Sequence, residues 1–224
     1  MAHDLLGSLR HFLERFRHMG YELVRSINAA AITGFHDAAL SPITVNCAPP
    51  RAAFAALWRA IADNHRCNAL LSLEEERASR IPIGDPDLSV CRYRIDRYNV
   101  ERSAAVAAID ETLLDVLADV PRHRAARLYT ETAGSMIDRL STLAIRIHRM
   151  RLYSERHARD GMLMPHYLSG LAALVAQRVN LACCFDEFIA GASLGIAYFS
   201  MSRRRRDREG EPQRHPAKQR DFVS

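Results

Sequence analysis

Polar residues stand where helical spacing calls for apolar ones, and their types are those of acid–base and anion chemistry. His65 and Asn68 continue the face begun by Phe54, Leu57, Trp58 and Ile61, and Ser72, Glu75 and Glu76 extend it. Arg102 falls in the middle of the stripe Ile95, Tyr98, Val106, Ile109, Leu113 and Val116, with Asn99 beside it. Arg178 interrupts Tyr167, Leu171, Leu174, Leu181, Phe185 and Phe188. An arginine fork suits a carboxylate, sulfate or phosphate, while imidazole and carboxylate groups accept protons. One reading is a polar pocket inside a bundle, floored by Arg102 and Arg178, for a small molecule with an anionic group. Another is a structural network, with Glu75 or Glu76 bridging Arg102 or Arg178 and Asn68 and Asn99 filling the remaining bonds.

Other chemistries lack their residues. Of 31 basic residues a single one is lysine, Lys218 in the tail, which disfavours Schiff-base chemistry and a P-loop. No HExxH, CxxC, nucleophile elbow or dinucleotide fingerprint occurs, so neither a metal nor a cofactor is expected. Cys47, Cys67, Cys91, Cys183 and Cys184 are odd in number and unpaired in motif. With no secretory signal region they read as reduced thiols, which implies a cytoplasmic protein.

The elements that must position these residues are long helices. Apolar periodicity predicts them near 51–79, 91–118, 134–157 and 166–200, with loops at 41–50 and 81–87. Nothing alternates with period two, so no sheet is expected. Residues 5–26 form an amphipathic basic pattern through Leu5, Leu9, Phe12, Phe16, Met19 and Leu23, suited to packing on the body or on a partner. The expected organisation is an amphipathic helix over 1–27, one all-α bundle over 28–200 and a disordered arginine-rich tail over 201–224.

In the 134–157 helix the stripe is Met136, Leu140, Leu143, Ile147 and Met150. Asp138, Arg139, Thr142, Arg146 and Arg149 lie opposite, and periodicity alone makes them a solvated face. Thr130 or Thr132 is a candidate N-cap, and Glu131 would favour the positive helix end.

The net charge of +5 is concentrated after Met201, where Arg203 to Arg206 run unbroken. The rest is near neutral, so nucleic acid is not an expected partner. No apolar run long enough to span a bilayer stands out, and no membrane span is expected.

His65-Arg-Cys-Asn68, Glu75-Glu76 and Ile95-Asp-x-x-Asn99-x-x-Arg102 resemble a bacterial helical family, domain of unknown function 4254. The strongest likeness is Thr130-Glu-Thr-x-Gly-Ser-x-Ile-Asp-Arg-Leu-Ser141, with Gln177-Arg178 further on, over roughly residues 28 to 195. Ser72 stands near the place of the family's tryptophan, and the arginine tail replaces its usual ending. The resemblance implies that His65, Asn68, Glu75, Asn99, Arg102, Glu131, Ser135, Asp138, Arg139 and Arg178 are site positions. It further implies kinship with two-subunit enzymes of natural-product biosynthesis that close an aziridine ring by expelling sulfate. On that footing His65, Glu131 and Asp138 are the candidate proton acceptors and the other seven bind substrate. The expectation is a cofactor-independent enzyme, as a homo-oligomer or with a small partner subunit. The alternative is a non-catalytic helical subunit that stabilises a partner enzyme.

Overall fold

The computed structural model describes residues 20–41, 54–156 and 164–200. The 41–50 loop beyond Ser41, the N-terminal pattern before Gly20 and the tail from Met201 lie outside the described residues.

A helical segment over 20–26 buries Leu23, and Ile27 just beyond it, in the common core. Helix α1 (Ala29–Ala39) starts at Asn28, whose side-chain oxygen accepts the Ala31 N–H at 2.9 Å. Helices α2 (Ala55–Ala78) and α3 (Pro86–Leu117) pack along most of their length. The turn between them ends at Asp85, which caps α3 by accepting the Asp87 N–H at 2.9 Å; Pro86 takes the first helical position, where no N–H is needed. Helices α4 (Ala133–Arg156) and α5 (Met164–Ser193) complete the bundle, and α4 touches all four others. The core joins Trp58 and Ile61 of α2, Ile109 and Leu113 of α3, Ile137 and Leu140 of α4 and Phe185 and Phe188 of α5.

The fold is all-α with one addition. Strands β1 (Arg127–Tyr129) and β2 (Ala197–Phe199) form a parallel pair, Leu128 opposite Tyr198. This corrects the expectation of no sheet: three residues are too few to show alternation in sequence. The pair is set by the turn after α5, where Gly195 has φ +71° and a Cβ would lie 2.1 Å from the Pro121 carbonyl oxygen.

Pro165–Ser193 is, by length and composition alone, long and apolar enough to cross a membrane. Arg178 and the adjacent Asp186 and Glu187 break the run in sequence. In the fold two of these tie α5 to α1: Asp186 accepts the Ala29 N–H at 2.7 Å, and Arg178 reaches Asp37 at 2.9 Å.

Candidate active site

The site begins at the N-terminus of α4. The Thr132 hydroxyl oxygen accepts the Ser135 N–H at 3.2 Å, and Asp110 of α3 accepts the Gly134 N–H at 2.7 Å. A Cβ on residue 134 would lie 2.5 Å from the Val106 carbonyl oxygen, so the close approach of α3 and α4 requires glycine there. Burial raises the Asp110 carboxyl above the usual range, against the opposing hydrogen bonds from Thr132 and Gly134. Much of the Thr130–Ser135 block therefore fixes where α4 starts.

One turn on, α4 presents Asp138 and Ser141 to α2. Asp138 Oδ1 accepts the side-chain amides of Asn64 and Asn68, both at 2.8 Å. Asn68 also donates to Ser141 Oγ at 3.1 Å, and Ser141 Oγ lies 2.8 Å from His65 Nδ1. A Ser141 hydroxyl that donates to that nitrogen leaves the proton of a neutral His65 ring on Nε2. The ring stacks on His36 of α1, centroids 4.5 Å apart and planes 17° from parallel. Burial, then the Arg178 charge, outweighs the Asp37 carboxylate and the nearby His36 carbonyl, and lowers His65 to about 4. His36 is also pushed well down, by burial first and then by His65 and Arg178.

Two arginines flank the cluster. Arg102 Nε stands 4.0 Å from Asp138 Oδ1, an ion pair too long for a direct hydrogen bond, and the side chain is 36% exposed. Arg178, 12% exposed, donates to Asp37 and to the Thr33 carbonyl oxygen at 3.0 Å.

Of the predicted positions, His65, Asn68, Asp138 and Arg102 come together, and Arg178 lies near enough to His65 for its charge to act there. Glu75 is a correction. It is exposed, because α2 turns Glu74 and Glu76 inward instead: Glu74 pairs with Arg94 at 3.1 Å and Glu76 with Arg149 at 3.1 Å. No bridge from Glu75 or Glu76 to Arg102 or Arg178 forms among the described residues. Asp138 and Arg149 correct the reading of a solvated face, since α2 covers them. Arg139 Nη1 donates to both Glu131 carboxylate oxygens, at 2.8 and 2.9 Å, with Arg139 exposed, and the pair shares no hydrogen bond with the cluster among the described residues. Ser135 is half-buried and bonded to Thr132, and Asn99 is half-buried on α3.

Sequence reasoning missed His36, Asp37 and Asn64 altogether. His36 and Asp37 sit in α1, a short helix that the sequence periodicity does not predict, and Asn64 differs from His65 by one position on the same helix. Asn64 was findable, since it stands one turn before Asn68.

A family profile described as "Protein of unknown function (DUF4254)" matches residues 58–201. The chain belongs to this family. The matched DUF4254 region runs from Trp58 through β2, so it contains His65, Asp138 and both arginines and leaves His36 and Asp37 outside. No curated protein and no solved structure matches the chain.

Proposed function

We propose that this DUF4254 protein is a cofactor-independent enzyme of small-molecule biosynthesis that acts on a substrate bearing an anionic group. The observation that supports this reading is the meeting of Asp138, His65 and Arg102, from three helices, at a place where apolar side chains would pack more cheaply. Burial holds His65 neutral at pH 7, and Asp138 accepts two amides through Oδ1, so its second oxygen is the one offered to a proton. Arg102, without a direct hydrogen bond to Asp138, keeps donors for a ligand.

The specific reaction proposed is ring closure by an amine onto the neighbouring carbon, with loss of sulfate. The amine nitrogen forms a bond to carbon as the carbon–oxygen bond to sulfate breaks, and the electron pair leaves with the sulfate. The proton of the amine passes to Asp138, so no oxidant or reductant enters. Arg102 and Arg178 favour the departing oxyanion, whose charge grows in the transition state. Glu131 and Arg139 pair with each other at the surface and take no step in the reaction. The test is inorganic sulfate release from a vicinal amino-sulfate, with the purified chain alone and with the product of a neighbouring gene. Release that depends on this chain is the expected result. Release at the same rate without it would refute the reaction.

A second reading, a subunit that binds a partner, is favoured by one feature. The outer face of α5 exposes Leu168, Ala172, Val175, Ala176, Val179 and Cys183 at helical spacing, without a charge among them.

A further inference from the structure

Next to the proton-accepting cluster lies a set of buried nitrogens with nothing to bond to. His36 is fully buried, and neither of its ring nitrogens has a hydrogen-bond partner. Arg178 Nε is likewise buried and unpartnered, and His65 Nε2 is buried with the His36 carbonyl close by, outside good hydrogen-bond geometry. Most buried polar groups in folded proteins are satisfied, and stranding one costs as much as a hydrogen bond is worth. Several such groups in one place call for a missing partner.

What is missing can be read from what is offered. A neutral imidazole always carries one N–H, a guanidinium Nε is a donor only, and His65 Nε2 bears its ring's proton when Ser141 donates to Nδ1. The set therefore offers three donors and one lone pair, on the second His36 nitrogen, which becomes a fourth donor when that ring is protonated. Arg178 is clamped by Asp37 and the Thr33 carbonyl through its terminal nitrogens, so Nε is the donor left over. Thr33, His36 and Asp37 lie on one face of α1, and the His36 ring stacks on His65. A ligand that accepts from all of these, and whose charge protonates His36 so that nothing need be donated to it, is an oxyanion.

We propose that His36, His65 and Arg178 form an oxyanion subsite that holds the anionic group of the substrate. This extends the proposed function by naming the place and the ligand class, and it brings in α1, which the matched family region does not cover. The charged and titratable groups around the subsite are Asp37 on α1, His65 on α2, Arg178 on α5 and, beyond Ser141, Asp138 on α4. Burial and the Arg178 charge keep both imidazoles neutral. A bound anion reverses that balance, so binding draws in a proton and weakens as pH rises.

The full chain is titrated with sodium sulfate, phosphate and acetate against sodium chloride, by calorimetry in two buffers of different ionisation enthalpy. Imidazole NMR signals are followed in parallel. The expected result is saturable one-to-one binding of at least one oxyanion, with net proton uptake and shifts at His36 and His65. Chloride should do neither, and the preference among the three oxyanions identifies the group held. His36→Phe keeps the stacked ring but removes both nitrogens. It should bind at least about tenfold more weakly, the scale of one charge-assisted hydrogen bond, with helical circular dichroism unchanged. Binding without proton uptake, binding that His36→Phe leaves unchanged, or no saturable binding would each overturn the subsite. If His36→Phe does not fold, the wild-type proton uptake and NMR shifts still decide. Oxyanion binding with no turnover of an amino-sulfate would uphold the subsite and sink the proposed reaction. Full turnover by His36→Phe would do the reverse.

Discussion

At the scale of single residues, the cluster is defined by groups whose charge the fold controls. His65 titrates near 4 in the folded chain instead of 6.5, and His36 is lowered in the same direction. A folded pKa below the unfolded one means that the unfolded chain takes up the proton first as pH falls. Stability from this source is complete above pH 6.5 and is lost between 6.5 and 4. One pH unit corresponds to about 1.4 kcal/mol, so His65 accounts for a loss of about 3 kcal/mol over that window, and His36 adds to it. Asp110 works in the opposite sense, because its raised carboxyl favours the folded state at low pH. Urea unfolding at pH 7.5 and pH 5 should show a clear drop at the lower value, and a smaller one in His65→Phe. Equal midpoints at both pH values would show that neither imidazole is buried neutral.

At the scale of elements, the outcome turns on α4. Reading one apolar stripe assumes one buried face, and that holds for Arg139 and Arg146, which are exposed. It fails for Asp138 and Arg149, because α4 runs through the middle of the bundle and α2 lies against its polar side. Arg149 donates to the Ser72 hydroxyl at 2.6 Å and pairs with Glu76, continuing the polar seam that Asn64, His65 and Asn68 begin. The four long helices were legible because their apolar periodicity is long, whereas the eleven-residue α1 was not predicted. Which polar face meets another helix was not, since that is a property of the neighbour. His65, Asn68, Arg102 and Arg178 were visible as interruptions of a stripe; Asp138 entered through the family likeness, and His36 through neither. Arg178 also fastens α5 to α1, and Asp37, its partner, is half exposed. Arg178→Met should therefore cost about 1 kcal/mol by removing its bonds to Asp37 and the part-buried Thr33 carbonyl, whereas Arg102→Met should leave the melting temperature nearly unchanged. Equal melting temperatures for both variants would show that Arg178 has no fastening role.

At the scale of the whole molecule, two surfaces matter: the buried seam and the outer face of α5. The seam concentrates polar groups at the junction of α1, α2, α4 and α5, with α3 supplying Arg102. The α5 face carries small and branched apolar side chains over four turns, and a self-complementary stripe of this kind packs well against its own copy across a two-fold axis. Light scattering on the purified chain should give a dimer, and Val179→Glu, placed mid-stripe, should shift it toward monomer without loss of helix. A monomeric wild-type chain would contradict the pairing. The central claim concerns the seam: its charges serve a ligand's chemistry rather than the fold. Asp138→Asn tests this most directly, because the asparagine keeps an oxygen to accept the Asn64 and Asn68 amides and removes the negative charge alone. Sulfate release and thermal unfolding are measured on the same preparation. The account predicts turnover lower by about two to four orders of magnitude, the usual reach of a general base, at a nearly unchanged melting temperature. Full turnover, or a loss of turnover that merely follows a collapse in stability, would contradict it.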